Sequence, residues 1–295
     1  MRIVTRPDFD GVVCAALLSD ALKIKRKIKW VQPSAMQKGE VDIKKGDIIA
    51  NLPFHDKCSL WFDHHYSNAP DGKINGLFKI APSAAGVIYE FYDKTDFSRS
   101  FDELVANTDK IDSADLSLRE ILYPENHPYI ILSMTISGRE ETDEPYWDKL
   151  VKMLKKYEIH TLLKDPEISR RCGIVVEENK RYEDYLKKYT QQIGHVSLTD
   201  FRTLNPPPEG NRFLIYSLFP DCIVSVKIYT ADDNRTAISI GHSILNRNCN
   251  VNVGKMLSKF EGGGHPGAGA CRFSTDKTSD YLKQIVDILV ENKPN

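Results

Sequence analysis

Asp63-His64-His65 stands directly after the apolar run Ser59-Leu60-Trp61-Phe62, where a β-strand would end. Two adjacent imidazoles are hard to place in a core, because each needs polar partners. One can ligate a divalent ion while the next polarises a phosphoryl oxygen, and Asp63 can orient a ring from behind. A polar turn is the plainer alternative. Asp8 and Asp10 lie two apart, between a strand and the Gly11 turn. Carboxylates so spaced can each reach a different ion of a two-metal site, although Asp8 could equally cap a helix. Asp109 and Asp112, after Leu104-Val105, could each add a carboxylate or close a helix. Near the C-terminus, Gly262-Gly263-Gly264-His265-Pro266-Gly267 reads as a glycine-rich loop whose backbone N–H groups can cradle an anion, with His265 adding a donor. It could also be a flexible turn. Together these residues suit metal-assisted phosphoester hydrolysis at the carboxyl edge of a parallel sheet.

The elements that would position them alternate. Strands are expected at Arg2 to Thr5, Lys27 to Gln32, Asp47 to Leu52 and Ser59 to Phe62, with an amphipathic helix over Val12 to Leu22. Pro82-Ser83 starts a further helix through Tyr92. Alternation of this kind implies an open parallel α/β sheet. From Leu116 to Leu163 the pattern is helical and loop-rich, with a charged turn over Arg139 to Glu144. A charged connecting helix, Ile168 to Gln192, ends at Gly194, and Pro206-Pro207-Pro208 breaks the chain early in a second unit. That unit should hold strands at Phe213 to Leu218, Cys222 to Thr230, Thr236 to Ile240 and Ala270 to Phe273, with helices at Val253 to Phe260 and Ser279 to Glu291. The expected organisation is an N-terminal parallel-sheet domain, residues 1–193 including the connecting helix, and a smaller α/β domain with a mixed sheet, residues 194–295.

At 295 residues the chain can bury at least one sizeable core, and 41% hydrophobic with 27% charged residues is ordinary for a globular protein. A net charge of −1 argues against duplex DNA as a ligand but allows a small anionic substrate. No apolar run approaches the roughly 20 residues of a membrane span, and the N-terminus lacks the h-region of a secretory signal. The cysteines at 14, 58, 172, 222, 249 and 271 lack CxxC spacing and read as reduced thiols of a cytoplasmic protein.

In order and content the motifs resemble the DHH phosphoesterase superfamily, in the branch whose C-terminal associated domain carries a GGGH substrate segment. The resemblance covers essentially the whole chain, and Thr5-Arg6-Pro7-Asp8-Phe9-Asp10-Gly11 with Gly241-His242-Ser243 is similar to the exopolyphosphatase-related group. Nano-RNA and pAp phosphatases and RecJ-type exonucleases share the architecture. The resemblance implies Mn²⁺ or Mg²⁺ as cofactor, one or two ions, with Asp8, Asp10, His64, Asp109 and Asn51 as candidate ligands and Asp112 as the alternative to Asp109. It implies catalytic roles for His65 and Asp63, and substrate contacts from Arg6, His242, Gly262, Gly263, Gly264 and His265.

The chain departs from the family pattern at three places. Val4 stands where many members have a histidine, Asn51 replaces an aspartate that would bridge two ions, and Gly241-His242-Ser243 stands where many carry a strand-end Arg-Ser pair. A neutral amide loses a charge and the bridging mode, so one ion of a pair should be weakly held or absent. The expected activity is hydrolysis of a short oligonucleotide, pAp or short polyphosphate held in a cleft between the two domains. Lack of an aromatic stacking run argues against processive handling of long single strands. The alternative is a non-catalytic sensor of a nucleotide or polyphosphate; a homodimer is one assembly the resemblance allows.

Overall fold

The computed structural model describes residues 1–136, 143–231 and 233–295, so residues 139–142 of the expected charged turn lie outside the described residues. Short runs rich in apolar and β-branched residues form five strands: β1 (Arg2–Thr5), β2 (Lys29–Trp30), β3 (Asp47–Ala50), β4 (Leu60–Asp63) and β5 (Gly76–Phe78). All pairings are parallel, in the order β2-β1-β3-β4-β5. Successive side chains point to opposite faces, and both faces are covered. Ile3, Ile48, Ala50 and Phe62 join one apolar cluster, while Val4, Ile49 and Trp61 join another.

In chain order the helices that follow are α1 (Phe9–Ala21), α2 (Pro33–Gln37), α3 (Ala84–Phe91), α4 (Asp102–Asp112), α5 (Leu118–Leu122), α6 (Pro128–Met134), α7 (Glu144–Lys156) and α8 (Ile159–Leu162), of which α5 belongs to the second unit described below. An amphipathic α1 is not what forms. Every residue from Phe9 to Asp20 is buried, because α1 packs on α3, α4 and α7 as well as on β1. The run Val12-Val13-Cys14-Ala15-Ala16-Leu17-Leu18 suits a helix enclosed on all sides.

Helix α9 (Pro166–Tyr189) follows, then β6 (Thr190–Ile193), β7 (Val196–Asp200), α10 (Leu214–Leu218), β8 (Val224–Thr230), β9 (Thr236–His242), α11 (Val253–Leu257), β10 (Gly262–His265), β11 (Ala268–Phe273) and α12 (Thr278–Glu291). The strands form a mixed sheet in the order β10-β11-β9-β8-β7-β6, in which only β7 and β8 run parallel. Val224, Val226, Ile238 and Phe273 meet Ile285 and Leu289 of α12 in its core. The chain divides into one unit of Met1–Leu116 with Pro124–Gly173 and another of Ser117–Tyr123 with Ile174–Asn295. The division falls inside α9, between Gly173 and Ile174.

Other expectations give way to local physics. The connecting helix stops at Tyr189, and Thr190–Ile193 turns through Gly194, at φ 58°, into a hairpin with β7. Phe213 to Leu218 is not a strand: Leu214–Leu218 is a short helix, since an apolar run of that length has no decisive periodicity. The glycine-rich segment is not a loop but β10, an edge strand paired antiparallel with β11.

Its glycines differ in what they permit. A Cβ on Gly262 would lie 2.4 Å from the Ala270 carbonyl oxygen, and one on Gly264, at φ 150°, would lie 2.3 Å from that of Ala268. A Cβ on Gly263 would meet nothing within 4 Å. Gly262→Ala and Gly264→Ala should each destabilise the fold by about 2 kcal/mol or more in urea unfolding. Gly263→Ala should stay within about 1 kcal/mol of the parent protein.

Candidate active site

In the N-terminal unit three neighbouring strands end together, Thr5 of β1 beside Ala50 of β3, and Ala50 beside Phe62 of β4. Their continuations carry Asp8 and Asp10, then Asn51, then Asp63-His64-His65, all at the carboxyl edge of the sheet. Asp8 is the N-cap of α1, and the Gly11 N–H donates to its Oδ1 at 2.8 Å. Asn51 Nδ2 donates to the same oxygen at 3.0 Å, and Arg6 Nε lies 2.9 Å from Oδ2. Asn51 adopts the left-handed conformation, φ 55°, which asparagine tolerates better than most residues.

Asp10 is 1% exposed in the first turn of α1. The N–H groups of Ala84 and Ala85, at the start of α3, donate to its Oδ2 and Oδ1 at 3.0 and 2.8 Å. The carboxylate thus occupies a helix N-terminus, where unpaired amides and the helix dipole favour an anion. The Cys14 thiol adds a contact of 3.6 Å to Oδ1.

Asp63 is wholly buried and organises the two histidines. Its Oδ1 accepts from the His64 N–H at 2.8 Å and pairs with His65 Nδ1 at 2.8 Å, while Asn68 Nδ2 donates to Oδ2 at 2.6 Å. The His64 ring is fixed differently, by Nδ1 against the Ala81 carbonyl at 2.9 Å. That contact makes Nδ1 a hydrogen-bond donor and turns Nε2 toward carboxylates. Nε2 lies 3.3 Å from Asp112 Oδ2 and 3.9 Å from Asp10 Oδ2, yet it is buried and aligned in no hydrogen bond.

Ligand atoms of Asp10, His64 and Asp112 all lie within 4.8 Å of one another. An imidazole nitrogen facing carboxylate oxygens is a donor set for a divalent cation such as Mn²⁺, and the unpartnered Nε2 fits a ligand role. Asp63, His64 and His65 also lie close together, but Asp63 is occupied by the donors just described.

Of the candidate ligands singled out from the sequence, Asp109 does not reach His64, and Asn51 turns its NH₂ group to Asp8. Ser83 Oγ, the N-cap of α3, donates to Asp109 Oδ1 at 2.5 Å. Gly86 allows this approach, since a Cβ there would lie 2.7 Å from that oxygen. The carboxylate that reaches His64 is instead Asp112's, the alternative at that motif. Sequence reading missed Asn68, the amides of Ala84 and Ala85, and the Ala81 carbonyl; only Ser83, as a helix start, carried a signal.

Electrostatics follow the crowding. Burial, then the charge on Asp8, pushes the Asp10 carboxyl well above the usual range, and burial with the charges of Asp10 and Asp8 does the same to Asp112. Burial also raises Asp8 and Asp109, against the Arg6 charge in one case and the Ser83 hydrogen bond in the other. Burial alone would lower His65, but the hydrogen bond and charge of Asp63, joined by Asp112 and Asp10, carry it above its ordinary value of 6.5.

In the C-terminal unit, His242 is engaged locally. Its N–H donates to the Gly267 carbonyl at 2.8 Å, its Nε2 pairs with the Val251 carbonyl at 2.9 Å, and burial holds its pKa below the ordinary value. His265 is exposed at the end of β10, and Gly262 and Gly264 are packed against β11.

A parallel sheet whose strand ends gather these motifs, followed by a second unit carrying Gly262 to His265, is a DHH-type fold, which the chain shares with solved structures of DHH-family phosphodiesterases and nucleases. Among solved structures it is similar to PggH, a pGpG-specific phosphodiesterase from Vibrio cholerae, at 28% identity over 99% of both chains with a TM-score of 0.84. It shares the fold of an exopolyphosphatase-related protein from Bacteroides fragilis, at 11% identity over 97% of this chain and 91% of that one, TM-score 0.59. It also shares the fold of the exonuclease RecJ bound to manganese, at 11% identity over 99% and 90%, TM-score 0.55. No family model and no curated protein matches the sequence.

The raised carboxyls make a stability prediction. Folded metal-free protein holds protons on Asp10 and Asp112 that the unfolded chain releases above the ordinary value of 3.8, so its stability should fall as pH rises from there toward neutrality. Asp112→Asn should stabilise the metal-free protein at pH 7 by about 1 kcal/mol, and the gain should shrink toward pH 4. The same variant should lose most of the rise in Tm that Mn²⁺ gives the parent.

Proposed function

We propose that this protein is a divalent-metal-dependent phosphodiesterase acting on a short nucleotide, with a linear dinucleotide of the pGpG type as substrate. The observation that carries the reading is the approach of Asp10, His64 and Asp112 around the unpartnered His64 Nε2, beside the Asp63–His65 pair. Similarity to the pGpG-specific phosphodiesterase over nearly the full length of both chains supports the choice of substrate.

Asp10, His64 and Asp112 would hold the ion. It would supply Lewis-acid polarisation of a phosphoryl oxygen and an activated water. Water attacks phosphorus, the bond to O3′ breaks, O3′ takes up a proton, and the phosphate stays on the 5′ oxygen, so that pGpG becomes two molecules of GMP. His65, oriented by Asp63 and raised in pKa, offers a charged donor to a phosphoryl oxygen as negative charge grows there. Arg6 is a second cationic donor, with a fork suited to phosphate. Within the C-terminal unit by itself, His265 and the backbone at Gly263, where no side chain intervenes, are suited to an anion. His242, whose ring is engaged by Val251, serves to hold the β10–β11 turn through Gly267.

Among the described residues no helix is long and apolar enough to cross a membrane. With Mn²⁺ present, the protein should convert pGpG to GMP. His65→Ala should lower kcat/KM about 10²- to 10³-fold while Tm and bound Mn²⁺ stay at parental values. Unchanged turnover in that variant would refute the mechanism. Tight binding of pGpG without hydrolysis under Mn²⁺ or Mg²⁺ would instead make the protein a sensor.

A further inference from the structure

We infer that this site holds a single divalent ion, and that the guanidinium of Arg6, with the amide of Asn51, takes the place a second ion would need at Asp8. The inference rests on the metal-dependent reading above. Asp8 and Asp10 are spaced to serve different ions, but their surroundings are unlike.

Asp10 shares its neighbourhood with an imidazole nitrogen and a further carboxylate, Nε2 of His64 being buried without a hydrogen bond. Asp8 has donors on both oxygens. Oδ1 accepts from the Gly11 N–H at 2.8 Å and from Asn51 Nδ2 at 3.0 Å, and Oδ2 faces Arg6 Nε at 2.9 Å. Of roughly four lone-pair positions on a carboxylate, three are therefore taken. An ion at Oδ2 would have to displace a permanently charged guanidinium or sit beside it.

Around Asp8 the chain offers no second anionic ligand: Asn51 leaves a single neutral oxygen, Oδ1, buried without a hydrogen bond, which cannot bridge two ions as a carboxylate would. Asn51 is neutral, and because a carboxylate accepts only, the Asn51 amide must turn its NH₂ group, not its oxygen, toward Asp8. Val4, one strand position before Thr5, is fully buried in an apolar cluster with Val31, Ile49, Leu52 and Trp61. It brings no ligand.

The substitution of a cation by a cation is chemically economical. Arginine keeps its charge at any working pH, pairs with carboxylate, and can present its remaining nitrogens to phosphate. The Arg6 side chain is 40% exposed, so the group that neutralises Asp8 remains accessible to an anionic ligand. Arg6 thus supplies fixed positive charge where a two-ion enzyme would use a metal.

The test is metal stoichiometry, read independently of turnover. Chelator-stripped protein is equilibrated with Mn²⁺, then bound manganese per chain is measured by elemental analysis and by electron paramagnetic resonance. The parent should bind one Mn²⁺ with an uncoupled spectrum. Arg6→Ala should still bind one, with kcat/KM for pGpG lowered about 10²-fold. Arg6→Ala/Asn51→Asp should bind two, with an exchange-coupled spectrum. Two coupled ions in the parent, a double variant that stays at one, or unchanged turnover in Arg6→Ala would each overturn the inference. A parent that hydrolyses pGpG with two ions overturns only this inference; one that binds no Mn²⁺ and hydrolyses nothing overturns the phosphodiesterase reading as well.

Discussion

Asp10 and Asp112 bring two buried carboxyls within 4.8 Å of one another beside His64, where both can be ionised only against mutual repulsion, and the neighbouring elements hold them there. At an effective dielectric of about 20, two unit charges so close repel by about 3 kcal/mol. The chain does not avoid the strain but contains it. The first amides of α3 grip Asp10, the Ala81 carbonyl sets the ring of His64, and Arg6 and Asn51 neutralise Asp8 next door. Each of these devices holds an acidic or imidazole group by donors or acceptors from a different element, so the site exists only in the folded chain. A divalent cation relieves the same repulsion more completely than any of them, which is why stability and metal affinity should trade against each other at Asp112.

The scaffold that bears this strain is unusually apolar and closed. Strands β1, β3 and β4 are covered on both faces, and α1 is buried along nearly its whole length. Such a core fixes where each strand ends, and the ends carry the chemistry. Asn51 in the left-handed conformation and Asp63 at the last position of β4 are positions where a shift of one residue would turn the functional side chain to the other face. The C-terminal unit uses a different device, an edge strand made of glycines. Two of these glycines are required by close packing against β11, and the middle one leaves the backbone bare.

Much of this was legible in the residues. The alternation of apolar strands and helices predicts the parallel sheet, and the strand-end position of Asp63-His64-His65 predicts convergence with the Asp8-Asp10 turn. Ser83 as a helix start was also readable, because its hydroxyl caps α3. What was not legible depends on contacts between distant segments. Asp109 and Asp112 sit on one helix, and nothing local shows that Ser83 claims the first while the second reaches His64. The apolar run at Phe213 to Leu218 has too few residues to show a period, and the strand character of Gly262 to His265 comes from pairing with β11, which glycine propensity conceals. The β6–β7 hairpin was hidden because the polar Thr190-Gln191-Gln192 follows the charged helix α9 without a break signal before Gly194.

The central claim is that Asp10, His64 and Asp112 together bind a catalytic cation, and a crystal of the Mn²⁺-loaded protein tests it most directly. An anomalous difference map should place manganese against Asp10 Oδ2, His64 Nε2 and Asp112 Oδ2, with Asp109 still on Ser83. Manganese bound elsewhere, or none at these three side chains, would contradict the account.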